Sequence, residues 1–234
     1  MIHRGVLSIL CLLALVCAAR SQPPSLPIAY QDRLIYLPVS VNGEDSLLFL
    51  LDTGANVSAI DRAVADRLEL PELRVDTVEG MAGKIVVPNV HARSVFVGGM
   101  EVPDIHFTKY DMSGMLAPPG HRLHGILGMD VMKELVVSID FVDSTITFAA
   151  SMIDTLAHAL PLEMDNGIPR TSITIGGVDM LMRFDTGSSI FESPDVYLNV
   201  TDRFMQEILA KHPQLKPVTH FSATGIGGAI EMPV

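Results

Sequence analysis

Leu48-Phe49-Leu50-Leu51-Asp52-Thr53-Gly54-Ala55 and Leu181-Met182-Arg183-Phe184-Asp185-Thr186-Gly187-Ser188 are two versions of one pattern, an apolar strand-like run ending in Asp-Thr-Gly. Each follows an extended segment and a glycine turn: Leu37 to Val41 before Asn42-Gly43, and Thr171 to Ile175 before Gly176-Gly177. Asn-Gly between two apolar runs is a strong hairpin signal. At ordinary residue frequencies one given tripeptide is expected only about 0.05 times in a chain this long. Two copies in matched contexts are a repeat.

A second match follows each triplet. Gly80-Met81-Ala82-Gly83-Lys84-Ile85-Val86-Val87-Pro88 aligns with Gly225-Ile226-Gly227-Gly228-Ala229-Ile230-Glu231-Met232-Pro233 through shared glycine, glycine, isoleucine and proline. The second copy carries about twelve extra residues between its landmarks. They fit the segment 191–217, where Thr201 caps an expected helix with Phe204 and Ile208 on one face. In the first copy Asp61 is the corresponding cap, with Val64 and Leu68 on one side.

The first copy then continues through a hairpin (Val95 to Val97, Gly98-Gly99, Val102 to Phe107) and a Pro-, Gly- and His-rich loop from Asp111 to Leu123. After His124-Gly125-Ile126-Leu127-Gly128-Met129-Asp130-Val131-Met132 comes a short helix, then strands over Leu135 to Phe141 and Ser144 to Phe148. The second copy has no such continuation before Val234. Either the sequence is a fragment, or its second half cannot complete the same fold. The pattern predicts a mostly β chain with two or three short helices.

Composition narrows the function classes. The 234 residues are 48% hydrophobic and 18% charged, with a formal net charge of −11. Such a chain is apolar enough to fold, and its length suits one large or two small domains. With 16 basic residues against 27 acidic ones there is no basic footprint for nucleic acid. Met1 to Arg4 and the apolar run Val6 to Ala19 read as a secretory leader, with small residues at Ala18, Ala19 and Ser21. The run is too short to cross a bilayer, and no later run is longer. Removing residues 1–21 takes both cysteines, Cys11 and Cys17, and leaves no thiol chemistry. The expected mature protein is secreted or periplasmic, acidic, and without a stable membrane span.

If the two halves pack about a pseudo-twofold axis, Asp52 and Asp185 meet there. Gly54 and Gly187 give the room for close approach, and the Thr53 and Thr186 hydroxyls can bond across the seam. Two carboxylates ~4 Å apart repel by roughly 4 kcal/mol at an effective dielectric near 20, worth about three pKa units. One proton is then shared over a wide acidic range; the aspartic-protease dyad is the standard example of this coupling. The ionised member takes a proton from water and the protonated member donates to a carbonyl oxygen, so amide hydrolysis needs no metal, cofactor or covalent intermediate. Ala55 follows the first triplet and Ser188 the second. A hydrogen bond from Ser188 would make Asp185 the more readily ionised partner.

Phe49 to Ala55 with the Ala59-Ile60-Asp61 helix start, and Gly125 to Val131, resemble the retropepsin-like aspartyl protease family. The resemblance covers residues 30–148 well and 168–234 in part. It implies a closed β-barrel lobe (28–150) followed by a second, incomplete lobe of the same type (151–234), as in a pepsin-like bilobal arrangement. It implies catalytic Asp52 and Asp185, and Ile126-Leu127-Gly128 threading behind the active-site loop. The hairpin at about Val78 to Pro88 becomes a flap over substrate, with Gly80, Met81 and Gly83 at its tip and Gly225, Gly227 and Gly228 in the second copy. Two features depart from the family pattern. The second copy has no Ile-Leu-Gly counterpart, and the flap has no tyrosine.

The leading expectation is an exported aspartic endopeptidase acting on a peptide or protein substrate. A homodimer pairing Asp52 with its copy in another chain is the alternative, and a catalytically silent peptide-binding module is the third. His121 and His124 read as a solvated loop rather than a metal site. Gly225 to Gly228 lacks the helix a phosphate loop needs, and Gly187-Ser188-Ser189 lacks the glycine of a nucleophile elbow. Asn56 and Asn199 fit the glycan acceptor pattern, and Met129 and Met132 read as core.

Overall fold

A computed structural model describes residues 24–80, 83–151, 159–189 and 200–216, and the backbone of 220–225 and 228–233. The leader expected over residues 1–21, and Met81, Asn199 and Gly227, lie outside the described residues. The molecule is mostly β, as the alternating apolar runs require. No helix among the described residues is long and apolar enough to cross a membrane.

Strands β1 (Ser25–Pro27), β2 (Ala29–Gln31), β3 (Leu34–Val41), β4 (Glu44–Leu51) and β5 (Ala59–Asp61) lead into helix α1 (Arg62–Arg67). Then follow β6 (Glu72–Gly80), β7 (Gly83–Val97), β8 (Met100–Tyr110), β9 (Gly125–Leu127), helix α2 (Met129–Met132), β10 (Val136–Asp140) and β11 (Thr145–Ala149). Eight of these strands form one sheet in the order β2-β3-β4-β9-β5-β8-β7-β6, and a further pairing of β3 with β7 curls it shut. A separate sheet, β1-β11-β10, packs Ile146 and Phe148 into the same core.

The turns follow their residues. Asn42 and Gly43 both take positive φ, 48° and 86°, as a two-residue hairpin with right-handed strand twist demands. The Asn42 side chain also accepts from the backbone amides of Arg93 (2.9 Å) and Ser94 (3.2 Å), which fixes this hairpin against β7. Helix α1 begins where Asp61 accepts from the Ala63 amide, and the Asp61 carboxylate also takes the Met112 amide at 3.0 Å.

Strand β4 is buried on both faces, which explains its unbroken apolar run. Phe49 and Leu51 point into the main core with Leu37, Ile60, Phe107 and Leu127. Leu50, between them, points to a second cluster of Leu34, Tyr36, Ala59, Met112, Leu123 and Ile126. Burying a side chain of this kind is worth about 1.5–3 kcal/mol. β4 is therefore held rigidly just before it delivers Asp52.

The later residues form β12 (Glu163–Asp165), β13 (Ile168–Ile175) and β14 (Val178–Arg183), helix α3 (Asp202–Lys211), and the hairpin β15 (His220–Gly225) with β16 (Gly228–Pro233). β12-β13-β14 is a three-stranded sheet, turned at Gly176-Gly177 with positive φ at both. Thr201 caps α3 by accepting from the Phe204 amide, as its position predicts. Ile208 is buried, and His212 sits 2.9 Å from the Gly176 carbonyl, so the helix packs over the hairpin turn.

Candidate active site

The loops after β4 and β14 interlock. The Thr53 hydroxyl donates to the Phe184 carbonyl (2.8 Å) and accepts from the Thr186 amide (3.1 Å). Reciprocally, the Thr186 hydroxyl donates to the Leu51 carbonyl (2.7 Å) and accepts from the Thr53 amide (3.1 Å). Four hydrogen bonds across 131–135 residues of sequence set one triplet against the other.

Neither Gly54 nor Gly187 has positive φ, so glycine is required here for close approach. A Cβ on Gly54 would lie 2.6 Å from the Asp185 Cγ, and one on Gly187 would overlap the Asp52 carboxylate. Each glycine is the floor beneath the other strand's acid. The two carboxylates face one another closely enough to couple their titration. The Asp52 Oδ1 accepts from the amides of Gly54 (2.8 Å) and Ala55 (3.1 Å), and the Asp185 Oδ1 from that of Gly187 (2.9 Å).

Burial, followed by the charge of Asp185, pushes the Asp52 carboxyl up to about 7. Asp185 is also raised by desolvation, while the amides of Gly187 and Ser188 favour its charged form. Asp185 is also the more exposed of the two. Both carboxyls are therefore held above the ordinary carboxylate range, and the pair titrates as a unit. The Ser188 amide favours the Asp185 charge, and the Ala55 amide makes the equivalent contact to Asp52.

Ile126-Leu127-Gly128 runs directly behind the Asp52 loop. β9 pairs in parallel with β4 (Leu50↔Ile126, Leu51↔Leu127) and antiparallel with β5. The Asp52 amide donates to the Leu127 carbonyl (3.0 Å), and the Met129 amide to the Ala55 carbonyl (2.8 Å). A Cβ on Gly128 would sit 2.9 Å from that carbonyl oxygen. Among the described residues nothing equivalent stands behind Asp185.

The hairpin β6-β7 is paired to Gly80↔Gly83, with Gly83 at φ 126°. Val78 and Ile85 share one face, half-buried, while Val75 and Val86 on the other are exposed. β15 and β16 form the matching hairpin, paired to Gly225↔Gly228.

Two residues at the site carried no role in the sequence reading. Ser58, fully buried, donates its hydroxyl to the Asp130 Oδ1 (2.6 Å) and accepts from the Gly128 amide (2.9 Å). Its own amide reaches both Asp130 oxygens at 3.0 Å. This pair ties the end of the Asp52 loop to the start of α2. The one signal for it was an acid, Asp130, inside the otherwise apolar run Ile126 to Met132. His124 likewise departs from the solvated-loop expectation: it is half-buried and its Nδ1 accepts from the Leu48 amide at 2.8 Å. No group of three or more metal-ligating side chains occurs among the described residues.

Two solved structures are similar in part. A retropepsin-like aspartic protease from Rickettsia conorii is 21% identical, over 53% of this chain and 89% of that one, with a TM-score of 0.38. The EIAV protease complexed with the inhibitor HBY-793 is 23% identical, over 42% and 84% respectively, with a TM-score of 0.32. No curated protein matches the chain. Residues 37–131, the segment that carries Asp52, its loop and Ile126-Leu127-Gly128, match the family model of the aspartyl proteases.

Proposed function

We propose that this chain is an aspartic endopeptidase in which Asp52 and Asp185 together activate a water molecule for peptide-bond hydrolysis. The observation that carries the reading is the mutual fit of the two triplets. Each glycine faces the other strand's carboxylate, and each threonine bonds across the seam. The aspartyl protease match over residues 37–131 supports the same chemistry. In this reading residues 28–150 are one lobe and 151–234 a second, and β6-β7 closes over the peptide.

Ionised Asp185 takes a proton from a water held between the carboxylates, and the resulting hydroxide attacks the scissile carbonyl carbon. Protonated Asp52 donates to the carbonyl oxygen, giving a neutral gem-diol intermediate. On collapse that proton budget reverses: a carboxyl protonates the leaving amine while the other recovers a diol proton. Val78 and Ile85 on the flap's half-buried face favour apolar side chains in the bound peptide.

The Thr53–Thr186 interlock lies within one chain and supports the intramolecular pair over a homodimer built from two copies of Asp52. The apolar run Val6 to Ala19 supports export; replacing its leucines with aspartates should leave the protein inside the cell. A fluorogenic peptide panel from pH 3 to 8 tests the activity. Turnover by the wild type that disappears in a folded Asp52→Asn variant is expected. No turnover at any pH, with the cleft still binding peptide, would instead identify a silent binding module.

A further inference from the structure

His124 stands at the junction of the two strands that frame the catalytic loop. Its amide donates to the Leu48 carbonyl (2.9 Å), and its Nδ1 accepts from the Leu48 amide (2.8 Å). One residue thereby closes both backbone groups of Leu48, where β9 first meets β4. The parallel pairing Phe49↔Gly125, Leu50↔Ile126 and Leu51↔Leu127 begins at the next position and ends in the bond from the Asp52 amide to Leu127. We propose that His124 is a positioning residue, a neutral imidazole latch that holds β4 against β9 just upstream of Asp52 and that opens when acid protonates Nδ1.

The chemistry is forced by the geometry. An imidazole nitrogen accepts a hydrogen bond only when unprotonated, so the Leu48 contact requires the neutral ring with its proton on Nε2. Protonation turns Nδ1 into a donor facing another donor, and the Leu48 amide loses its partner. Four charged groups surround the ring. Glu44 comes from β4, Arg67 from α1, Asp61 from the start of α1, and Arg122 from the preceding loop. Glu44 is paired with Arg67, and Arg122 lies 3.7 Å from Asp61, so among the described residues both acids beside the ring are compensated. Burial and the Arg67 charge hold the ring below its ordinary value, in the same direction. Since the folded form binds the proton less readily than the unfolded chain, the latch is intact above the ordinary histidine range. Its stabilisation is lost as pH falls through that range.

The inference rests on the protease reading only for its effect on catalysis, and the test separates the two. The imidazole of His124 is titrated by NMR in the full chain, and Tm is measured against pH for wild type and His124→Asn. The Asn Oδ1 occupies the Nδ1 position and accepts without titrating. The difference between the two melting curves cancels the dyad's own pH dependence. His124→Asn is expected to gain several degrees on the wild type as pH drops from 7 to 5, and to keep kcat/KM to lower pH. The His124 ring should titrate below free histidine and hold the Nε2–H tautomer at pH 7. A ring that titrates at or above the free value, or a melting difference that does not change with pH, would overturn the proposal even where peptide hydrolysis is absent. If His124→Asn does not fold, the wild-type titration alone decides.

Discussion

At Gly187 the absence of a single methyl group lets the two carboxylates approach each other. The Cβ it lacks would occupy the space of the Asp52 carboxylate, so Gly187→Ala must push the two loops apart. Displacing reacting groups by about 1 Å costs on the order of 100-fold in rate, and kcat/KM is expected to fall at least that far while the protein remains folded by circular dichroism. Asp52 offers a second test, this time of stability. Its carboxyl is raised to about 7 by burial and by Asp185, so above the ordinary carboxylate range folding must take up a proton or bury a charge. That penalty is absent at low pH, where the carboxyl is protonated in both states, grows as pH rises from the ordinary carboxylate range to the raised value, and is complete above it. Asp52→Asn is therefore expected to raise Tm at pH 8, with the gap closing towards pH 4. A melting curve parallel to wild type across that range would show that the carboxyl is unperturbed.

At the scale of elements, the pieces that bear on Asp52 are β4, β9 and α2, tied by side chains far apart in sequence. Ser58 satisfies the Gly128 amide and the Asp130 carboxylate at once. Ser58→Ala leaves the buried Gly128 amide without its acceptor and the half-buried Asp130 with backbone amides alone, and should cost about 1–3 kcal/mol in urea denaturation. Under the proposed function it should also lower kcat more than it raises KM, because it loosens the Asp52 loop rather than the cleft. The hairpins were legible in the sequence, since Asn42-Gly43, Gly98-Gly99 and Gly176-Gly177 carry the positive φ their turns need. So were the caps at Asp61 and Thr201, whose partners lie two and three residues away. Ser58–Asp130 and His124–Leu48 were not. Their partners lie 72 and 76 residues off, and neither side chain belongs to a local pattern that announces a distant contact.

Across the whole molecule, the Asp-Thr-Gly repeat announced the site, because a motif that recurs reports a shared geometry before any contact is known. It did not announce the asymmetry. Asp52 is backed by β9, Ser58 and Asp130, whereas among the described residues Asp185 is held through Thr186 and its own loop. The pairing of one well-supported acid with one held by the interlock is the central claim, and the activity of Asp185→Asn tests it most directly. With an intramolecular pair, the folded variant should lose at least about 1,000-fold in kcat at every pH and every protein concentration. Wild-type turnover by Asp185→Asn, falling on dilution, would show that Asp52 finds its partner in a second chain and would contradict the account.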